Sequence, residues 1–67
     1  MKTQFDTRDF ENANGFDPET STGAGMWAFM AEGESEWMFT SDAMDFEEAC
    51  EWAQEQRPEA TDFTVGP

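Results

Sequence analysis

The chain has 67 residues, with sixteen Asp and Glu against three Lys and Arg and no His, so its formal net charge at pH 7 is −13. Its one cysteine cannot form an intramolecular disulfide, and no stretch approaches the roughly 20 apolar residues of a membrane-spanning helix. These features exclude a disulfide-linked secreted miniprotein and predict a cytoplasmic protein without a signal peptide, which anionic lipid would repel.

The apolar residues are mostly aromatic or sulfur-containing. The sequence holds seven Phe, three Trp and five Met, but no Leu, Ile or Tyr and a single Val. Aromatic side chains bury about 150–250 Å² each, so a few of them can fill the small core that this length allows. Low hydrophobicity with high net charge is typical of disordered chains. Aromatic residues at strand and helix spacings nevertheless favour a folded single domain over 1–67.

The first 25 residues give weaker signals. Residues 3–7 predict a short strand, but Phe5 and Phe10 have opposite parity, so one regular strand cannot bury both. Residues 10–25 are rich in Asn, Gly, Pro and Ser and predict a long loop anchored by Phe16.

Two aromatic-rich runs, 26–31 and 36–40, are separated by a Glu-Gly-Glu-Ser turn. This spacing predicts a central β-hairpin over 26–40. Strand alternation places Trp27 and Phe29 on one face of the hairpin, which is expected to pack on a helix.

The opposite face of the hairpin is also apolar. Met26, Met30 and Met38 are expected to form this face, and methionine-rich surfaces are common at adaptable binding sites. Monomers seldom leave large apolar patches exposed, so we expect Phe10 and Phe16 of the loop to cover it. A monomer is thereby favoured over the alternative, a homodimer that uses the methionine face.

Residues 45–57 predict a helix followed by a last strand. Asp45 is the predicted N-cap, Glu48 follows three residues later as in a capping box, and Pro58 ends the helix. Residues 60–65 predict the closing strand. Together the elements predict a small α+β domain, in which an antiparallel sheet with a central hairpin packs against one acidic helix in the order β-β-β-α-β.

Nine carboxylates form the candidate partner-binding surface. Four share the solvent face of the predicted helix, where no Lys relieves their repulsion, and the others lie in the hairpin turn and at the helix entrance. An ordinary solvated face is the alternative interpretation. Rows of carboxylates at this pitch resemble a DNA strand, which carries a phosphate about every 3.4 Å of axis. The residues are Glu47, Glu48, Glu51 and Glu55 on the helix, Glu32, Glu34 and Glu36 in the turn, and Asp42 and Asp45.

Catalysis is not expected, because the sequence has no His for proton transfer near neutral pH and no Ser-His or Cys-His pair. Cys50 falls in the apolar stripe of the predicted helix, surroundings that raise the pKa of a thiol. No cofactor or specific metal site is expected either. An EF-hand register with Gly15 at its sixth position places Phe10 and Ser21 where carboxylates are required.

The length, the acid excess and the order hairpin, acidic helix, closing strand resemble small phage-encoded inhibitors that mimic DNA, in particular anti-CRISPR proteins directed at type I Cascade complexes. The resemblance implies a non-enzymatic protein of the bacterial cytoplasm that blocks DNA binding by a basic nucleic-acid-binding protein, such as a Cascade subunit. It implies no direct contact with nucleic acid or membrane, and first contacts through Glu47, Glu48, Glu51 and Glu55.

Other protein classes share part of this pattern. Antirestriction proteins and inhibitors of DNA-repair enzymes are similar in acidity and would act by the same mimicry. An acidic protein of a halophile and an oxygen-ligated module that binds divalent metal are the alternatives from other classes. The halophile protein is expected to lose structure when salt is withdrawn, and the metal module to gain stability with calcium.

Overall fold

The computed structural model describes residues 3–20 and 23–66, and within these ranges two α-helices pack with a mixed four-stranded sheet. The predicted α+β class is confirmed, with two helices instead of one. The elements in chain order are β1 (Gln4–Asp6), α1 (Arg8–Asn14), a short 3₁₀ turn (Pro18–Thr20), β2 (Ala28–Ala31), β3 (Met38–Phe39), α2 (Phe46–Gln56) and β4 (Asp62–Val65).

The strands lie in the order β1-β4-β2-β3. β2 pairs antiparallel with both β3 and β4, as expected for a hairpin and its neighbour, but β1 pairs parallel with β4. The expectation of a wholly antiparallel sheet is therefore wrong at this edge. Tight hairpins join only antiparallel strands, and β1 is instead followed by a helix, so no hairpin dictates its direction.

The predicted loop over 10–25 is wrong in its first part, because Arg8–Asn14 form α1. The helix ends at Gly15, which has the left-handed φ of 79° and donates its amide hydrogen to the carbonyl oxygen of Glu11 at 2.8 Å. The Asn-Gly pair that predicted a turn is thus the end of a helix, where glycine is favoured because it lacks a Cβ. α1 buries Phe10, so a helix resolves the parity conflict noted in the sequence.

The hairpin, the helix predicted over 45–57, which is α2, and the closing strand are confirmed with slightly shorter bounds. Asp45 is the N-cap of α2, and its Oδ1 accepts the backbone amide hydrogen of Glu48 at 2.8 Å. The last helical residue, Gln56, comes two positions before Pro58. Neither α-helix in the described ranges has the length and apolar character that crossing a membrane requires.

The core lies between the sheet and the helices and is mostly aromatic. Phe5 stacks on Phe63 with ring centroids 5.1 Å apart, and Phe46 contacts Trp27 at 5.2 Å. Phe29, on the central strand β2, is fully buried. Such pairs contribute about 0.5–1.5 kcal/mol each beyond the area they bury. A few aromatic side chains therefore form the interior, as the composition predicts.

The strand register places some hairpin residues on a different face of the sheet from the one expected from the sequence. Phe29 pairs with Met38, and Ala28 pairs with Phe39. Directly paired residues lie on the same face of a sheet, so Met38 faces the core while Phe39 faces the opposite side. The expected grouping of Met26, Met30 and Met38 on one face is therefore wrong for Met38, because the register differs by one residue from the one that grouping needs.

The expected cover for the methionine face is absent among the described residues. Phe10 stacks on Trp27 at 5.3 Å and contacts Phe16 edge-on at 5.3 Å, so both phenylalanines lie on the core side of the sheet. Met26 is 62% exposed and Phe39 is 70% exposed on the other side. Phe10 instead closes the core beside Trp27, and Phe16 packs against Phe10.

Candidate functional site

The four glutamates of α2 form a continuous stripe on its exposed side. The helix buries Phe46, Ala49 and Ala53 against the sheet. Successive residues turn by about 100°, so Glu47, Glu48, Glu51 and Glu55 lie within an arc of about 100° on the side away from these buried residues. All four side chains are exposed. We call these four residues the α2 stripe.

The structure adds a carboxylate that the sequence analysis did not select. Glu19 lies in the 3₁₀ turn, which packs against α2. Burial raises the pKa of the Cys50 thiol, and the charges of Glu19, Glu47 and Glu51 raise it further. The turn is held by Asp17, whose Oδ1 accepts the backbone amide hydrogen of Glu19 at 2.9 Å. The Asp17-Pro18 pair is a known signal for the start of a helical turn. It does not predict that this turn packs against α2.

Cys50 itself is not a reactive nucleophile. Burial is the main cause that raises the pKa of its thiol to about 12, and the carboxylates of Glu19, Glu47 and Glu51 add to it. The thiolate is the reactive form of cysteine, so at neutral pH the side chain remains a protonated, partly buried core residue. This agrees with its predicted place in the apolar part of the helix.

The two arginines form ion pairs elsewhere. Arg57 donates to Glu34 at 2.7 Å, and Arg8 donates to Asp6 at 2.7 Å. The Arg8 side chain accordingly lowers the pKa of Asp6 to about 2. In the ranges 3–20 and 23–66, no salt bridge reaches the α2 stripe. Its negative charge is therefore uncompensated by these arginines.

The carboxylates of the hairpin turn form a second group, which is partly engaged. Glu34 is bound by Arg57, the residue that follows the end of α2, and Glu32 accepts a hydrogen bond from Thr61 Oγ1 at 3.1 Å. Glu36 is exposed. The turn thus lies near the C-terminal end of α2, but its charges are less available than those of the α2 stripe.

The two remaining candidates lie at the start of α2. Asp45 uses one oxygen to cap the helix and is still exposed, and Asp42 is exposed in the bend before it. Asp45 directly precedes the first turn, which contains Glu47 and Glu48. The structure therefore brings Asp45 together with Glu47 and Glu48 at the start of α2, whereas the hairpin turn with Glu34 lies near the C-terminal end of the helix.

Within the described residues, no three His, Cys, Asp or Glu side chains converge as ligands for a metal ion. A depression of about 550 Å³ between the hairpin turn and the end of α2 is lined partly by the salt-bridged Glu34 and Arg57. The chain matches no protein-family model, no curated protein and no solved structure. Its function is therefore inferred from the surface charges and their arrangement.

Proposed function

We propose that this protein is a non-enzymatic inhibitor that mimics the charge of nucleic acid and occupies the DNA-binding site of a basic protein in the bacterial cytoplasm. The observation that carries the proposal is the α2 stripe, which has neither of the two arginines as an ion-pair partner. Like charges three and four residues apart destabilise a helix, so the stripe has a cost that binding to a basic partner would offset.

The charge density of the stripe is close to that of a DNA strand. A helix rises 1.5 Å per residue, so Glu47 to Glu55 spans about 12 Å and carries four carboxylates. One strand of duplex DNA carries three to four phosphates over about the same length, at about 3.4 Å each. Glu19 adds a further charge beside the helix. Lys and Arg side chains placed for phosphates therefore meet a similar number of carboxylates over the same length.

The resemblance to small acidic phage inhibitors makes the type I Cascade complex the first target to test. In that assignment the protein is an anti-CRISPR that blocks the binding of target DNA. A restriction enzyme or a DNA-repair enzyme would be inhibited by the same mimicry, and each is a separate arm of the same experiment.

The experiment is an order-of-addition assay with purified type I Cascade and its double-stranded target DNA. DNA added first is expected to protect the complex, and the protein added first is expected to exclude DNA. Inhibition should weaken steeply with salt as the Debye length falls below about 8 Å. The variant Glu47→Lys/Glu51→Lys should lose more than about 2 kcal/mol of binding free energy, the upper sum for two isolated surface pairs.

The matched control reverses two exposed carboxylates outside the candidate surface, Asp9→Lys/Glu59→Lys, and so changes the net charge equally. This control should inhibit nearly as well as the wild type. Equal loss in both variants would attribute binding to net charge alone. Full inhibition by Glu47→Lys/Glu51→Lys, or a stable complex of target, protein and DNA at one site, would overturn mimicry by the α2 stripe.

A further inference from the structure

Among residues 3–20 and 23–66, three of the four exposed large apolar side chains lie on the side of the sheet that faces away from the helices. Met26 is 62% exposed, Phe39 is 70% exposed and Trp37 is 36% exposed. The fourth, Phe16, contacts Phe10 on the core side. Alternation along β2 adds two partly buried residues to the same side. We call this surface the outer face, and its apolar residues are Met26, Ala28, Met30, Trp37 and Phe39.

Two small residues lie at the base of the outer face, Ala28 in β2 and Gly66 directly after β4. The backbone amide of Gly66 donates to the carbonyl oxygen of Ala28 at 2.8 Å. A Cβ at Gly66 would lie 2.9 Å from Ala28 Cβ and 3.3 Å from Trp37 Cζ3, so the indole ring rests beside these two residues. Phe39 pairs directly with Ala28 on the other strand. The larger side chains Trp37 and Phe39 therefore lie beside these two small residues.

The outer face continues to an open edge of the sheet. β3 is the terminal strand in the order β1-β4-β2-β3. Met38 and Thr40 direct their backbone groups toward β2, since the Thr40 amide donates to the Trp27 carbonyl oxygen at 3.0 Å. The intervening Phe39 therefore directs its amide and carbonyl groups away from β2. An extended segment of a partner can pair here while its side chains reach the outer face.

The charge of the molecule identifies the kind of occupant. A second copy would bring another net charge of −13 against the first, and both arginines described are already paired with carboxylates of their own chain. The acidic residues Glu36 and Asp42 flank the segment that carries Trp37 and Phe39, and both are exposed. The apolar side chains of a partner can contact the apolar outer face, while its Lys and Arg side chains can pair with the surrounding carboxylates Glu36 and Asp42. Interfaces commonly combine an aromatic and Met-rich centre with a polar rim.

We infer that the outer face binds a basic partner protein through an extended segment in which apolar residues alternate with Lys or Arg. The inference rests on the proposed function in taking the partner to be basic, and it adds a contact that charge mimicry does not require. The outer face lies on the opposite side of the sheet from α2. A partner that uses both surfaces must therefore reach around an edge of the sheet.

The test uses two short capped peptides of equal length and charge, one alternating Lys with Leu and the other Lys with Ser. Each is titrated into the isotopically labelled full chain in low salt and followed by NMR. The Lys-Leu peptide should bind about tenfold more tightly, a difference of about 1.4 kcal/mol. Its shift changes should centre on Met26, Trp37 and Phe39. The variant Met26→Ser/Phe39→Ser should bind both peptides equally, whereas Phe16→Ser, an exposed aromatic of the core side, should keep the preference.

The outcomes separate this inference from the proposed function. Equal binding of both peptides with shifts confined to the α2 stripe would overturn the inference and leave charge mimicry standing. A Lys-Leu preference that persists in Met26→Ser/Phe39→Ser would overturn it as well. Sedimentation that shows a dimer of the wild type, dissociated by the same variant, would assign the outer face to a second copy. Binding of neither peptide would count against both proposals.

Discussion

Trp27 and Thr40 hold the start of the hairpin together through two hydrogen bonds. The Thr40 amide donates to the carbonyl oxygen of Trp27 at 3.0 Å, and Thr40 Oγ1 accepts the Trp27 amide hydrogen at 2.9 Å. Thr40 is only 2% exposed, so the hydroxyl replaces a backbone acceptor inside the protein. The indole Nε1 of Trp27 also donates to the carbonyl oxygen of Met44 at 2.7 Å. Hydrogen bonds therefore hold both the backbone and the indole ring of Trp27.

Thr40→Val is expected to lower the free energy of unfolding by about 1–3 kcal/mol, because the buried amide of Trp27 loses its acceptor. Denaturant unfolding measures the loss, and hydrogen exchange at the Trp27 amide should accelerate in the same variant. Thr40→Ser keeps the hydroxyl and should be the more stable of the two. A valine variant as stable as the serine variant would show that this hydrogen bond contributes nothing.

Gly66→Ala is expected to destabilise the fold by about 1–3 kcal/mol, since its Cβ would approach Ala28 Cβ to 2.9 Å and neither atom can rotate away. Gly23→Ala is the matched control, because a Cβ there meets nothing within 4 Å. Thermal unfolding compares the variants. Adding Ala28→Gly to Gly66→Ala should recover part of the loss, a coupling that independent sites would lack.

Cys50 should make stability depend on pH above neutrality. Its thiol has a pKa of about 12 in the folded protein and an ordinary value of 9.0. The folded pKa is raised, so the contribution is fully present below pH 9.0 and is lost as pH rises toward 12, where the unfolded chain ionises first. Urea unfolding at several alkaline pH values should show this decline in the wild type. The stability of Cys50→Ala should decline less with rising pH, and this variant should retain inhibitory activity. A folded but inactive Cys50→Ala variant would contradict the assignment of the thiol to the core.

Neutralising the α2 stripe should stabilise the protein in low salt. Glu47→Gln/Glu51→Gln removes like-charge pairs worth about 0.2–0.5 kcal/mol each, and the gain should vanish near 1 M salt, where the Debye length is about 3 Å. Glu34→Gln is the control, because it breaks the salt bridge to Arg57 and should give no gain. Circular dichroism should show the wild type folded without added salt. A random-coil spectrum there would favour the halophile alternative instead.

The sequence by itself determined the elements that depend on local signals. The aromatic runs around a Glu-Gly-Glu-Ser turn predicted the hairpin, and Asp45 with Glu48 predicted the start of α2, because alternation and capping involve residues close in the chain. The carboxylates on the exposed side of α2 followed from helical periodicity alone. α1 was missed because Asn14-Gly15 is compatible with a loop as well as with a helix end.

Only the tertiary structure decided how these pieces meet. The sequence did not show that β1 runs parallel to β4, or that the turn carrying Glu19 packs against α2, because both depend on contacts between segments far apart in the chain. The hairpin register placed Met38 against the core, where it is partly buried, and Phe39 outside. A shift of one residue exchanges the two faces of a strand, and the core packing, which must fill the space around Phe29, selects between them.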